Sequence, residues 1–231
     1  MNFPFTPTFI QVLGKIKDAA ARANNKLKLL PTNKQRAISK AAKEVWQNKH
    51  GKQFPIDVFQ TGSGTSTNMN ANEVIANLAS KYSKLDINPN DDVNMSQSSN
   101  DVIPTAMHCA YYVDTAEKLM PAMDLLIDTI AKKIAQYHGV VKTGRTHLMD
   151  AMPLTIDQEL GAWNTQLLNA RASLITVLDA LRFLPQGGTA VGTGINAHPR
   201  FAREFCKAIS PLVGFKAETS NDYFRLSLIH I

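Results

Sequence analysis

The chain has 231 residues, with 25 basic and 19 acidic side chains and a formal net charge of +6. This length allows a sizeable hydrophobic core, and an apolar share of 44% argues against a disordered protein. No aromatic residues interleave with the basic ones, so we expect a solvated helical surface and no nucleic-acid partner.

The two cysteines and the first residues bear on the compartment. Cys109 and Cys206 have no metal-binding spacing and are predicted to be buried thiols in a reducing compartment. No apolar run reaches the roughly 18 residues that span a membrane, and residues 1–7 lack the features of a signal peptide. The scattered histidines form no zinc motif. We therefore expect a soluble, cytoplasmic protein with no metal.

The first part of the chain is predicted to form helices separated by polar loops. Thr8 is the predicted N-cap of the first helix, and Asn33 that of the second. A third helix is expected to begin at Asn70 or Asn72. The run at residues 88–92 is predicted to be a turn.

Two long helices with narrow apolar seams are predicted to follow. The first begins at Asn100 or Asp101, and Pro121 is expected to kink or divide it. The second is expected to begin at Pro153. The first seam comprises Met123, Ile127, Ile130, Ile134 and Tyr137, and the second comprises Leu160, Trp163, Leu167, Leu174, Leu178 and Leu181. Such seams are buried by neighbouring helices. We expect other subunits to supply these neighbouring helices, and a monomeric bundle is the alternative.

Three stretches, at residues 61–70, 94–101 and 144–148, are rich in uncharged hydrogen-bond donors. When a proton leaves the carbon beside a carboxylate, negative charge accumulates on that carboxylate. Hydroxyl and amide groups stabilise this charge without a permanent charge that would bind the ground state equally well. The third stretch contains His147, a candidate proton carrier. Any one stretch alone would more often be a helix cap or turn, but together they predict a site for a small carboxylate-rich substrate.

These stretches resemble signature regions of the fumarase/aspartase lyase superfamily, and most closely those of class II fumarases. The resemblance covers most of residues 26–224. It rests on Gln-Thr-Gly-Ser-Gly-Thr at 60–65, Ser-Gln-Ser-Ser-Asn-Asp at 96–101, Thr-Gly-Arg-Thr-His at 143–147 and the glycine-rich run at 186–194. It implies a mainly α fold, a bundle of long helices with a small N-terminal domain of helices and loops. We expect the N-terminal domain at residues 1–98 and the central bundle at residues 99–231.

The resemblance also implies a reaction, the reversible hydration of fumarate to L-malate, without a cofactor. The residues that match substrate-carboxylate contacts are Ser63, Thr65, Ser98, Ser99, Asn100 and Thr146. His147 matches the catalytic histidine, which acts with a water and a partner carboxylate on the hydroxyl group that leaves or adds. Aspartase-like sequences usually carry glutamine there, so His147 favours water over ammonia, with an aspartate ammonia-lyase as the alternative. A homotetramer with sites shared between subunits is implied.

A second dicarboxylate site of fumarases, which is noncatalytic, resembles residues 88–94. That site typically begins with histidine, where this chain has Asn88, while Asn90 and Asp91 match. A neutral amide cannot supply the charge of an imidazolium, so a simple surface turn is the alternative.

One signature of the superfamily, the loop Gly-Ser-Ser-x-Met-Pro-x-Lys-x-Asn-Pro that supplies a serine base, has no match in these residues. Family spacing places it after Ile231, and the tail from Arg225 to Ile231 departs from the family pattern. The sequence therefore indicates a fragment of a class II fumarase that is inactive alone. The alternative is a noncatalytic helical module that oligomerises.

Overall fold

The computed structural model describes residues 4–226, so most of the divergent tail, from Ser227 to Ile231, lies outside the described residues. The chain is mainly helical, as predicted, and its strands are short. It divides into two compact units. Unit 1 comprises the chain up to Val113 and from Leu181 onward, and unit 2 comprises Asp114–Ala180. The domain boundary expected after residue 98 stays a prediction.

The elements follow one another along the chain as helices with two short two-stranded sheets. The helices are α1 (Pro7–Lys26), α2 (Thr32–Trp46), α3 (Thr65–Ser83), α4 (Ser99–Asp114), α5 (Met120–Gln136), α6 (Ile156–Leu181), α7 (Phe201–Val213) and α8 (Tyr223–Leu226). The strands are β1 (Val141–Thr146), β2 (Met149–Thr155), β3 (Phe183–Leu184) and β4 (Glu218–Thr219). Strands β1 and β2 pair antiparallel, and β3 and β4 pair parallel. No helix within residues 4–226 is long and apolar enough to cross a membrane.

The core of unit 1 forms around α1, which packs against α2 and α7. Apolar residues recur along one face of α1, and Leu13 and Ile16 from that face are fully buried with Phe205 of α7. A second apolar cluster lies between α2 and α3. A Cβ built on Gly14 would lie 2.9 Å from the backbone nitrogen of Trp46, so α1 and α2 approach too closely there for a larger residue.

Helix starts differ from those predicted. Thr6, not Thr8, caps α1, because its Oγ1 accepts a hydrogen bond from the Phe9 nitrogen at 3.3 Å and Pro7 takes the first helical position. Helix α2 begins at Thr32 without a side-chain cap, so Asn33 lies in its first turn. Helix α3 begins at Thr65, ahead of Asn70 and Asn72, because its cap is supplied by a side chain from the preceding loop, described below.

The two prolines predicted to mark long helices behave differently. Pro121 lies in the first turn of α5, directly after a π-helical turn at Thr115–Leu119. Asp114, Leu119 and Met120 keep right-handed helical dihedrals, so the helix continues through this turn and only its hydrogen-bond pattern changes. Pro153 does not start a helix, because it lies in β2 opposite Thr143, and α6 begins at Ile156. A two-stranded ribbon consists of edge strands only, and such strands tolerate proline.

Unit 2 consists of α5 and α6 joined by the β1–β2 hairpin. An ion pair fastens the two helices, in which the Arg171 Nε donates to the Asp124 Oδ1 at 2.5 Å and a second guanidinium nitrogen donates to Oδ2 at 3.2 Å. Neither helix contains a buried residue, although both carry the predicted apolar seams.

Candidate functional site

The first donor stretch forms the loop before α3 and the first turns of that helix. Gly64 adopts a left-handed conformation with φ of 70°, and a Cβ there would lie 2.8 Å from Cγ1 of Ile103, so only glycine fits. The hydroxyl oxygens of Ser63 and Thr65 lie 2.9 Å apart at this helix start. Backbone N–H groups in a first helical turn lack intrahelical acceptors, and they favour an anion.

Gln60 caps α3 in place of Gly64, which has no side chain. Its Oε1 accepts from the backbone nitrogen of Thr67 at 3.1 Å. Its Nε2 donates to the Thr67 Oγ1 at 2.8 Å and to the Asp57 carbonyl oxygen at 2.9 Å. Gln60 therefore connects the two ends of the segment that carries Ser63 and Thr65, residues 60 and 67, and Thr65 stays exposed.

The second donor stretch begins α4 with reciprocal capping between Ser98 and Asp101. The Ser98 Oγ accepts from the Asn100 backbone nitrogen at 3.3 Å, and the Asp101 Oδ1 accepts from the Ser98 backbone nitrogen at 2.9 Å. Because the Ser98 oxygen accepts, its hydroxyl proton remains for another partner. Ser98, Ser99 and Asn100 are half-buried together in this first turn.

The glycine-rich run packs against the same helix start. The buried Asp101 accepts from the backbone nitrogens of Gly187 and Thr189 at 3.0 and 2.9 Å through Oδ2. The Asn100 Nδ2 donates to the Ala190 carbonyl oxygen at 2.7 Å. Burial raises the pKa of Asp101 to about 6, although its N–H donors and the nearby charge of Lys17 oppose the rise.

A buried lysine joins the first two stretches. The ammonium of Lys17, on α1, donates to the amide oxygens of Asn68, Asn94 and Gln97 at 2.8, 3.1 and 3.0 Å. The Asn68 Nδ2 in turn donates to the Ser99 Oγ at 3.0 Å. Burial lowers the pKa of Lys17 to about 7, opposed by the charge of Asp101. The two stretches therefore share one hydrogen-bond network in unit 1.

The third donor stretch lies in unit 2, at the tip of the β1–β2 hairpin. Thr146 is the last residue of β1 and pairs with Met149. His147 and Leu148 form the two-residue turn between them, with φ of 50° and 62°. Positive φ at both positions is the conformation that tight hairpins favour. Thr146 and His147 are exposed, and Leu148 is 97% exposed, so the tip presents a polar and an apolar side chain together.

The structure thus brings the predicted residues together in two groups. Ser63, Thr65, Ser98, Ser99 and Asn100 belong to unit 1, and Thr146 and His147 belong to unit 2. Within unit 1, Asn68 links the first turns of α3 and α4, because it accepts from the buried Lys17 ammonium and donates to Ser99. A site of this composition is suited to a carboxylate.

A family model described as a lyase matches residues 1–227. The chain belongs to this lyase family. It is 49% identical over 228 residues to a class II fumarate hydratase of Xylella fastidiosa strain Temecula1, covering 96% of this chain and 48% of the relative. It is 48% identical over 230 residues to class II fumarate hydratase 2 of Pseudomonas aeruginosa, covering 97% of this chain and 50% of the relative.

Among solved structures, a class II fumarase of Schistosoma mansoni superposes with a TM-score of 0.91 at 36% identity, covering 97% of this chain and 51% of that one. The predicted lyase fold and the resemblance to class II fumarases are therefore confirmed. The chain spans about half the length of the curated relatives it matches.

The proposed second dicarboxylate segment of this lyase chain is a capped π-helical turn, Pro89–Val93. The Asn88 Oδ1 accepts from the backbone nitrogens of Asn90 and Asp91 at 2.8 and 3.0 Å, and all three residues are exposed. The turn predicted here is confirmed. Dicarboxylate binding by these residues stays a prediction, and the backbone nitrogens of Asn90 and Asp91 already donate to the Asn88 oxygen.

The candidate site in unit 1 contains two residues that local sequence patterns do not predict, Lys17 and Gln60. A signal for Lys17 is present, because it follows Ile16 on the apolar face of α1, where a charge must find buried partners. Gln60 gives no such signal, since a glutamine that caps a helix from outside its first turn has no fixed spacing.

Proposed function

We propose that this chain forms part of a class II fumarase, which catalyses the reversible hydration of fumarate to L-malate. The observation that carries the proposal is the state of the two serine hydroxyls at the start of α4. The Ser98 oxygen accepts from a backbone N–H and the Ser99 oxygen accepts from Asn68. Each hydroxyl proton is therefore left to donate to an anion. The naming of the relatives as class II fumarate hydratases supports the same reaction.

The unit 1 donors bind the substrate carboxylates in this proposal. Ser63 and Thr65 lie at one helix start and Ser98, Ser99 and Asn100 at another. When a proton leaves the carbon next to a carboxylate, these donors meet a growing negative charge and bind it more strongly than they bind the ground state. Thr146 supplies a further contact.

His147 carries the acid–base step in this proposal. Its imidazole delivers a proton, through a water, to the hydroxyl group that leaves malate as water, and it removes that proton in the reverse direction. An imidazole is suited to this because its ordinary pKa lies near neutral pH. Its place in a two-residue turn fixes the backbone beside Thr146, which contacts the substrate.

The proposed assembly is a cytoplasmic homotetramer that binds fumarate and L-malate, without a nucleic-acid or membrane partner. An apolar groove of about 560 Å³ runs between α5 and α6, and its lining residues include Leu126, Ile130, Leu160, Trp163 and Leu167. Trp163 is 52% exposed, so this groove offers apolar surface to another chain. Sites shared between subunits follow if the bundle forms in this way.

The test is a histidine substitution in the native protein that contains this chain. We expect His147→Asn to lower kcat for fumarate hydration by about 10²–10⁴, the usual contribution of a general acid or base. Asparagine tolerates positive φ, so the turn and the thermal unfolding midpoint should be preserved. His138→Asn is the matched control, because His138 is also in unit 2 but is paired with Asp157.

Three results would count against the proposal. Normal turnover in His147→Asn would remove the histidine from the mechanism. Ammonia release from aspartate at a rate comparable with malate dehydration would favour an aspartate ammonia-lyase instead. Full-length protein with neither activity would favour a noncatalytic helical module.

A further inference from the structure

The shell around Lys17 fixes the orientation of three amide side chains. Below its pKa of about 7, Lys17 is an ammonium group with three N–H donors and no acceptor. Three amide oxygens, from Asn68, Asn94 and Gln97, surround it at 2.8 to 3.1 Å. Each amide must therefore turn its oxygen towards Lys17 and its NH2 group away.

The orientation matters most at Asn68, which is buried between Lys17 and Ser99. The NH2 group of Asn68 faces the Ser99 Oγ at 3.0 Å, so the serine oxygen accepts. An amide turned by 180° would have the same shape but would place its oxygen there. The Ser99 hydroxyl would then donate its only proton to Asn68 and have none for a substrate.

We propose that Lys17 is a positioning residue that acts through Asn68 to keep the Ser99 hydroxyl proton free for the substrate carboxylate. This inference rests on the proposed function, in which Ser99 contacts that carboxylate. Lys17 itself touches no substrate. Together with the Asn94 Oδ1, which accepts from the Asn68 NH2 group at 3.3 Å, it determines which of two isosteric orientations Asn68 adopts. The orientation of Asn68 in turn decides whether Ser99 donates outward or inward.

The other two contacts of Lys17 serve a different purpose. The Gln97 NH2 group donates to the carbonyl oxygens of Val93 and Met95, each at 3.0 Å. The Asn94 NH2 group faces the Gln97 carbonyl oxygen at 3.4 Å. The Asn94 Oδ1 also accepts from the Asn68 Nδ2 at 3.3 Å, and an aspartate at position 94 would keep this acceptor. These contacts of Gln97 and Asn94 stabilise the turn before α4, and none of them involves Ser99 itself. They therefore provide a control for the structural part of the role of Lys17.

The experiment compares Asn68→Asp with Asn94→Asp in the native protein that contains this chain, below pH 7, where Lys17 carries its proton. Each substitution replaces an amide by a carboxylate of the same shape that still accepts from Lys17, and each adds the same charge beside it. Only Asp at position 68 would face Ser99, and a carboxylate cannot donate, so the serine proton would turn inward. The Asn94 Oδ1 would lose its Asn68 donor in the same variant. We expect kcat/KM for fumarate to fall by about 10²–10³ in Asn68→Asp, the usual effect of losing one transition-state donor.

The loss of kcat/KM in Asn94→Asp should be smaller by a factor of about ten or more, because a carboxylate at this position leaves the Ser99 donor in place. Equal losses in the two variants, with similar thermal unfolding midpoints, would overturn the proposal. That outcome would mean that charge beside Lys17, and not the polarity of the Ser99 hydrogen bond, controls activity.

A second measurement reads the orientation without any activity. Nuclear Overhauser effects between the Asn68 NH2 protons and the Ser99 β-protons should be strong in the unmodified protein and weak in Lys17→Met. Their persistence in Lys17→Met would overturn the role of Lys17. If the unmodified protein shows them but hydrates no fumarate, the orienting role stands and the substrate role of Ser99 falls with the proposed function.

Discussion

The two units of this chain use their helices in opposite ways. Unit 1 buries the apolar faces of α1 and α7, and Leu13, Ile16 and Phe205 are fully inaccessible to solvent. Unit 2 has α5 and α6 of comparable length, yet neither helix contains a buried residue. Leu125 is 70% exposed and Trp163 is 52% exposed. Unit 1 contains its own hydrophobic core, whereas unit 2 has apolar surface that only another chain or segment can bury.

The residue sizes fit this difference. Small residues such as Ala41 and Ala42 lie at the contact of α2 with its neighbours, where helices approach closely. The seams of α5 and α6 carry leucine, isoleucine and tryptophan, whose burial stabilises by about 1.5–3 kcal/mol each. The predicted site residues show the same contrast. Those of unit 1 take part in a hydrogen-bond network within that unit, whereas His147 of unit 2 is exposed.

The largest effect is expected from a charge on the unit 2 seam. Trp163→Glu places a carboxylate in the apolar groove between α5 and α6. Burying an unpaired charge at a subunit interface costs several kcal/mol, so the variant should not assemble. Light scattering coupled to size exclusion at micromolar concentration should give the mass of four chains for the unmodified protein and a smaller mass for the variant.

Asn169→Glu is the matched control, because it adds the same charge at an exposed position of α6 outside the predicted seam. It should leave the assembly intact. A monomeric mass for the unmodified protein, or equal dissociation of both variants, would contradict the assignment of the seam as a subunit interface.

A smaller effect is expected from the charge buried in unit 1. Burial lowers the pKa of Lys17 from its ordinary value of 10.5 to about 7. Between these values the unfolded chain binds a proton that the folded chain releases, so the free energy of unfolding rises with pH. Relative to Lys17→Met, the unmodified protein should gain on the order of 1 kcal/mol per pH unit above pH 7. Urea unfolding at pH 7, 8 and 9 measures this.

Lys142→Met controls for the loss of one lysine charge, because Lys142 in β1 pairs with Glu159 at a partly exposed site. The stability difference between Lys17→Met and the unmodified protein is the quantity to follow. A difference that stays constant or shrinks as pH rises would show that Lys17 keeps its proton throughout this range.

The sequence predicted the helical elements well and their starts poorly. The apolar periodicity of α5 and α6 marked long helices because that signal extends over many residues. Sequence patterns place the start of α3 too late, at Asn70 or Asn72, because its cap, Gln60, lies outside the helix. The hairpin around His147 was missed because Pro153 suggests a helix start, and only pairing with Thr143 places it in a strand.

The candidate site shows that local sequence patterns also fail to predict some of the residues that build it. Local motifs pointed to Ser98, Ser99 and Asn100, whose donors lie together at one helix start. They did not point to Lys17, because its partners Asn68 and Asn94 are distant in sequence and meet it only in the fold. Local patterns identify candidate substrate-binding groups, whereas the residues that orient those groups are recognised only from tertiary contacts.

Two helical glycines, one in each unit, give the last contrast, and its smallest expected effect is at Gly161. A Cβ on Gly14 of α1 would meet backbone atoms of α2 at 2.9 and 3.0 Å, so Gly14→Ala should destabilise by about 1–3 kcal/mol. A Cβ on Gly161 of α6 has no atom within 4 Å, so Gly161→Ala should stabilise the helix by about 0.5–1 kcal/mol. Thermal unfolding of both variants measures the contrast. If Gly161→Ala instead destabilises the assembled protein, another chain must approach α6 at Gly161. The open space beside Gly161 would then be a property of the single chain and would be filled in the assembly.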